Sequence, residues 1–114
     1  MEHIVIAGTA ALALMLPLPA YAAAPAFSDM AIGNGLYANC TSTDASFQLA
    51  CLAYIAGATD VLVRLEMNCR PYGVTYGQMK DVVINGLKDD ATNRHLASSL
   101  LIMKYGRAAF PCKK

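Results

Sequence analysis

The strongest hydrophobic pattern lies in the middle of the chain. Apolar or small residues there recur three, four or seven positions apart, namely Phe47, Cys51, Tyr54, Ile55, Ala58, Leu62 and Leu65. This is the period of one helix face, so the pattern predicts a single helix over residues 45–66. The opposite side has few polar residues, which indicates burial on more than one face at the centre of a bundle. Since Gly costs about 1 kcal/mol in a helix interior, Gly57 suggests that another helix backbone passes close by.

Two shorter helices are predicted on either side of the central one. Residues 32–40 form a short helix before it, and a connector broken at Pro71 follows it. Thr75 can cap the backbone N–H of Gln78 while the Gln78 side chain returns to the Thr75 amide, which is a reciprocal capping box. A helix is therefore predicted over residues 76–88. Its apolar stripe is Met79, Val82, Val83, Gly86 and Leu87.

A last helix is predicted to begin between residues 93 and 97 and to end near Ala109, because Pro111 cannot continue it. Its predicted core face is Leu96, Ser99, Ile102, Met103, Gly106, Ala109 and Phe110. At about 100° per residue, Leu101 falls opposite that face, near Tyr105. Both are therefore expected to be exposed. They form either a dimer or partner face or, in the case of Leu101, a lone surface residue.

The first 22 residues are typical of a secretory signal peptide. An apolar run extends from Ile4 to Leu16, and Ala20-Tyr21-Ala22 forms a small-x-small cleavage site. The segment before the run has no Lys or Arg, so only the amino terminus supplies positive charge there. A buried or membrane-spanning helix is the alternative, but the run is shorter than the roughly 20 residues that cross a bilayer. Cleavage leaves 114 − 22 = 92 residues, 23–114, enough for one domain.

Charge gives little indication of a partner. The mature chain loses Glu2 and keeps nine Lys or Arg against seven Asp or Glu, a net charge of 9 − 7 = +2. These charges are spread along the sequence without runs of one sign. The pattern therefore does not favour binding to nucleic acid or, after signal cleavage, to a membrane surface.

All four cysteines lie in the mature part, which predicts two disulfides in an oxidising periplasm. Cys51 and Cys69 are separated mostly by helix, about 25 Å in length, whereas bridged Cα atoms lie within about 7 Å. That pairing is therefore excluded. Cys40 precedes the turn that starts the central helix and should lie beside Cys51. Cys69 follows the other end of the helix, which leaves Cys112 as its partner.

Neither a metal site nor an active site is expected. Zinc is the alternative role for the cysteines, but no Cys-x-x-Cys pair occurs and His95 is the single histidine of the mature chain. A nucleophilic cysteine needs a free thiolate, and every cysteine here is predicted to be oxidised. No paired acids, phosphate-binding loop or Gly-x-Ser-x-Gly elbow appears. The sequence therefore predicts a protein that is not an enzyme and has no cofactor, with His95 as a surface residue at a helix start.

Asp60 lies four residues before Arg64 on the central helix. That spacing favours a helical ion pair worth a few tenths of a kcal/mol. A structural role for Asp60 is therefore predicted, with direct contact to a partner as the alternative.

Several motifs in fixed order carry a family resemblance over nearly all of the mature chain. Their residues are Gly33, Leu36 and Cys40; the run Cys51–Asp60; Cys69, Pro71, Gly73, Val74, Thr75, Gln78, Val82 and Val83; and the run Ala109–Cys112. The chain thereby resembles the Rap/Tai family of type VI secretion immunity proteins. The matched residues are mainly structural, so the resemblance carries the fold more directly than the partner.

The fold predicted from the residues is a small all-α, disulfide-linked bundle of four to five helices around the central helix near 45–66. The resemblance implies a periplasmic protein, often a homodimer, that binds and blocks a peptidoglycan amidase injected by neighbouring bacteria. Blocking would be steric, with a polar loop in the amidase groove. The expected inserted element is the turn of Asp89, Asp90, Asn93, Arg94 and His95. The alternative function is that of a small helical periplasmic stress chaperone of the acid-resistance type.

Overall fold

The computed structural model of the chain describes residues 27–113 and, before them, His3, Ile4 and Gly8. The predicted signal segment otherwise lies outside the described residues. Within 27–113 the chain forms α-helices and no strand. The helices are α1 (Phe27–Met30), α2 (Gly33–Cys40), α3 (Ala45–Arg64), α4 (Tyr76–Asp89) and α5 (Ser98–Ala109), with a 3-10 turn at Ala91–Asn93. The predicted all-α, disulfide-linked bundle is therefore confirmed.

Local signals in the sequence set the helix starts. Asp44 caps α3 by accepting a hydrogen bond from the Ser46 amide at 2.8 Å. The predicted capping box at α4 is present. Thr75 Oγ1 accepts from the Gln78 amide at 3.1 Å, and Gln78 Oε1 accepts from the Thr75 amide at 2.8 Å. Both caps satisfy backbone donors that would otherwise lack partners at a helix N-terminus.

Helix α3 lies at the centre of the bundle and contacts α2, α4 and α5. Its buried residues are Cys51, Ile55, Thr59 and Leu62. The three hydrophobic ones form one core cluster with residues of the other helices, among them Leu36, Met79, Val83, Leu87 and Ile102. Among the described helices, α3 is the one long and apolar enough to cross a membrane by length and composition, with a hydropathy of 1.5. It contacts three other helices of the bundle, and 22% of this apolar stretch is buried.

The expectation that α3 is buried on more than one face is wrong. The neighbouring helices all pack on one side, and on the outer side Leu49 remains 67% exposed and Val61 58% exposed. Gly57 is on this outer side too, and a Cβ added there would meet nothing within 4 Å. The prediction that another helix passes close to Gly57 is therefore also wrong for helices of the same chain. A bundle of this size has too few helices to surround its central one.

The predicted core face of α5 is rotated by about one residue from the observed face. The buried residues are Ser98, Leu101, Ile102, Tyr105 and Gly106. Leu101 is fully buried and Tyr105 is 7% exposed, so the predicted dimer or partner face at these two residues is wrong. The buried face of α5 was hard to recognise in the sequence because it includes the polar residue Ser98. It lies inside because its hydroxyl donates to the Met30 carbonyl at 2.5 Å and its amide donates to the Ala31 carbonyl at 2.8 Å.

Both disulfides form with the predicted pairing. Cys40–Cys51 joins the end of α2 to α3 across 11 positions of sequence. Cys69–Cys112 spans 43 positions and ties the connector after α3 to the segment after α5. The connector and the end of the chain are therefore held together at one end of the bundle.

Candidate interaction surfaces

Two connectors flank α4 and form its candidate interaction surfaces. Residues 69–75 precede the helix, and residues 89–95 begin at its last residue and continue beyond it. Because α4 has 14 residues, these connectors are separated by about 21 Å along its axis. They therefore lie at opposite ends of the helix.

The turn after α4 is organised by Asp90. Its carboxylate accepts hydrogen bonds from Asn93 Nδ2 at 2.7 Å, Lys104 Nζ at 2.7 Å and the Tyr105 hydroxyl at 3.1 Å. The bonds from Lys104 and then Asn93 lower the pKa of Asp90 below its usual range. Burial, and then the bond to Asp90, raises the pKa of Tyr105 to about 12. Asp90 thus holds the turn against α5.

Arg94 holds the same turn against α2. Its guanidinium carbon lies 4.6 Å from the centre of the Tyr37 ring, a cation–π contact. Its backbone carbonyl accepts from the Asn34 amide at 2.7 Å. Its Nε is buried and has no hydrogen-bond partner among the described residues.

The five residues predicted to bind a partner therefore fall into two groups. Asp90, Asn93 and Arg94 are partly buried and make contacts within the chain, whereas Asp89 and His95 are exposed. The three inner residues fix the backbone from which the two outer side chains project.

The predicted ion pair of Asp60 with Arg64 is not formed. Asp60 Oδ1 instead accepts a hydrogen bond from the Tyr76 hydroxyl at 2.7 Å. Within the described part of the chain, the ion pair that occurs is Lys104–Asp90. The bond to Asp60 raises the pKa of Tyr76. The structural role of Asp60 is thus to join the end of α3 to the first residue of α4, through a contact 16 positions apart in sequence.

The connector before α4 contains a tight turn that sequence reasoning treated only as a helix breaker. The Val74 amide donates to the Pro71 carbonyl at 3.2 Å, and Gly73 has a φ of 91°. A positive φ at the third position of such a turn favours glycine. Tyr72, at the second position, is 108% exposed. The sequence did contain a signal for this turn, because Tyr72 stands between Pro71 and Gly73.

An apolar strip runs along the outer side of α3, which we define as Leu49, Ala53, Gly57 and Val61. These residues are four positions apart and therefore form one ridge. A groove of about 400 Å³ beside the ridge, between α3 and α5, is lined by Ala53, Tyr54, Gly57, Ala58, Val61, Leu62 and Ser99. Sequence reasoning missed this strip because it predicted that α3 is buried on more than one face.

Within the described residues, no three His, Cys, Asp or Glu side chains come together as a group that could hold a metal ion. The four cysteines are all in disulfides.

A family model described as Rap1a immunity proteins matches residues 32–112, from the residue before α2 to the last cysteine. No curated protein and no solved structure matches the chain.

Proposed function

Because the chain belongs to the Rap1a immunity protein family, we propose that it binds one type VI effector, a peptidoglycan amidase, and blocks its active-site groove. The observation that carries the proposal is the match over residues 32–112, which includes both disulfides and four of the five α-helices. Under this proposal the chain acts by binding and performs no chemistry of its own.

The proposed location is the periplasm. Both cysteine pairs are bridged, which fits an oxidising compartment. We propose that residues 1–22 direct export and that residues 23–114 are the mature domain. Disulfides also make the mature domain rigid, which suits a steric inhibitor because little conformational freedom is lost on binding.

The proposed inhibitory element is the turn after α4. Asp89 and His95 are exposed and would contact the rim or interior of the amidase groove. Asp90, Asn93 and Arg94 would act indirectly by holding the turn through the contacts described above. This division suits an inserted element, since its backbone is ordered before the partner arrives.

We also propose that the protein is a homodimer joined through the apolar strip of α3. A twofold contact must be self-complementary. If two α3 helices cross antiparallel near Ala53 and Gly57, Leu49 of each copy lies near Val61 of the other. The small central residues let the helices approach, and the large outer residues cover one another.

The direct test is to isolate the tagged protein from the periplasm of its native cells at neutral pH and to identify what it retains. We expect one folded peptidoglycan amidase, in a fixed ratio to the chain, whose hydrolysis of peptidoglycan stops when purified mature protein is added. Recovery of many unfolded proteins, chiefly after acid treatment, would identify the chaperone alternative and overturn the proposal.

The inhibitory turn is tested separately with Asp89→Ala/His95→Ala, which leaves Asp90 and Arg94 in place. We expect at least about tenfold weaker binding to the amidase recovered above, because contact residues of this kind contribute on the order of 1–2 kcal/mol. The control is Asp81→Ala at an exposed position in the middle of α4. Equal affinity of the double variant and the control would rule out this turn as the contact.

A further inference from the structure

On the basis of the proposed function, we propose that the turn Pro71–Val74 is a second contact with the effector, in which Tyr72 enters a concave site on that folded protein. We call this segment the Tyr72 turn. It lies at the other end of α4 from the turn of Asp89 and His95.

Among the side chains of residues 29–113, Tyr72 is the most exposed large apolar one. Its exposed fraction is 108%, compared with 67% for Leu49 and 58% for Val61. A fully exposed ring gains nothing from burial within its own chain. Tyrosine is enriched among the residues that dominate protein interfaces because it combines a large apolar surface with a polar end and few rotatable bonds. Burial of this ring by another molecule would gain hydrophobic free energy that the fold leaves unused.

The backbone that presents Tyr72 is held on both sides. Before the turn, Cys69 is bridged to Cys112. Within the turn, the Val74 amide donates to the Pro71 carbonyl at 3.2 Å. The capping box of α4 begins one residue after the turn. A turn ordered in this way loses little backbone entropy when a partner binds, so more of the contact energy of the ring remains as affinity.

Contacts at the base of the turn add to this order. Tyr76, the first residue of α4, donates its hydroxyl to Asp60 at 2.7 Å. The guanidinium carbon of Arg70 lies 4.7 Å from the centre of the Tyr76 ring. Tyr76 is thereby held against α3, and Arg70 is held beside the turn. Of the two tyrosines in this region, Tyr76 makes contacts within the chain, whereas the ring of Tyr72 is available for binding a partner.

The positive charge near the turn indicates which charged residues should surround the concave site on the partner. Arg70 forms no ion pair with a carboxylate in the described part of the chain. Lys113 follows Cys112 and is therefore held close to Cys69 by the disulfide. The carboxylate of Asp60 already accepts a hydrogen bond from Tyr76. A rim of Asp or Glu around the partner's site would complement these two cations.

The shape of the turn favours the effector over a second copy of the chain. A protruding turn fits a concave surface, whereas a twofold dimer needs a patch that complements itself. The apolar strip of α3 has that property and the Tyr72 turn does not. An amidase with a substrate groove supplies the concave surface that the turn requires.

The test measures the affinity of the mature protein for the amidase that it retains in native cells. We expect Tyr72→Ala to weaken binding by about ten- to a hundredfold, the range typical of a central interface tyrosine. Tyr72→Phe should stay within about threefold of the wild type, since most of the ring's contact area remains. The thermal midpoints of both variants should equal that of the wild type because the ring is fully exposed.

Leu100→Ala is the matched control, because Leu100 is another exposed apolar residue, 46% exposed, on α5. It should bind the amidase as the wild type does. If the wild type binds the amidase and Tyr72→Ala binds equally well, this inference fails while the proposed function stands. If the wild type binds no amidase, both fail.

Discussion

Glu66 is the described residue other than glycine with a positive φ, 57°. It follows α3 at the position where helices commonly end with glycine. The Met67 amide donates to the Leu62 carbonyl at 2.8 Å, and the Glu66 amide donates to the Val63 carbonyl at 3.1 Å. These two bonds form a Schellman motif, which satisfies carbonyls at the end of the helix. A side chain in the left-handed region costs roughly 1–2 kcal/mol, so α3 ends with local strain.

Glu66→Gly should relieve that strain. We expect the free energy of unfolding to rise by about 1 kcal/mol, since the relief exceeds the extra entropy that glycine has in the unfolded chain. Denaturation by urea with the disulfides intact measures this change. Arg64→Gly, at the last residue of α3 where the backbone is helical, should lower the free energy of unfolding by about 0.5–1 kcal/mol. Destabilisation by Glu66→Gly would contradict this account of how α3 ends.

The packing of α4 against α5 depends on a glycine facing an aromatic ring. A Cβ placed on Gly86 would lie 2.6 Å from Cδ1 and Cδ2 of Tyr105. The missing side chain lets the Tyr105 ring lie flat against α4 and brings its hydroxyl to Asp90. The contact thus connects the packing of two helices to the turn proposed to bind the effector. It also explains why the buried face of α5 includes Tyr105.

Gly86→Ala should destabilise the protein by about 1–3 kcal/mol, because the added methyl group collides with the ring and forces a backbone or side-chain shift. The control is Gly77→Ala in the same helix. A Cβ there would lie 3.6 Å from Thr75 Oγ1, an ordinary contact. Gly77→Ala should therefore stabilise by about 0.5 kcal/mol through helix propensity. Equal effects of the two changes in urea denaturation would show that Tyr105 does not pack on Gly86.

At the scale of the whole molecule, the main feature left uncovered is the apolar strip of α3. The bundle covers one side of α3 and ends there, so Leu49 and Val61 remain in water. The proposed homodimer would cover this strip, and the two connectors flanking α4 are proposed to meet the effector. Self-association and effector binding would then use different parts of the surface.

The dimer is tested with Val61→Glu, which places a charge in the strip. We expect the wild type to sediment as a dimer and the variant as a monomer, because two carboxylates would have to be buried near Leu49 of the other copy. Val63→Glu is the matched control, since Val63 is exposed on another side of α3 and lies outside the strip. A monomeric wild type, or a Val61→Glu variant that remains dimeric, would contradict the proposal.

The sequence by itself determined the features that depend on neighbouring residues. The periodicity around Cys51 predicted α3 to within two residues, and Thr75 with Gln78 predicted the start of α4. The length of α3 excluded one cysteine pairing, because a helix is a rigid spacer, and the positions of Cys40 before the helix and Cys69 after it gave the two pairs. These signals act over a few turns of chain, so they can be recognised without knowing how the helices pack.

Only the tertiary structure decided which face of a helix is buried and which side chain pairs with which, where the sequence allowed several choices. Leu101 and Tyr105 are buried because the Ser98 hydroxyl donates a hydrogen bond to the Met30 carbonyl and because Gly86 leaves room for the Tyr105 ring. Asp60 bonds Tyr76 in place of the nearer Arg64 because α4 begins beside the end of α3. Tyr72 is exposed because the folded bundle leaves nothing next to it. Each outcome depends on contacts between residues far apart in sequence, which local spacing does not specify.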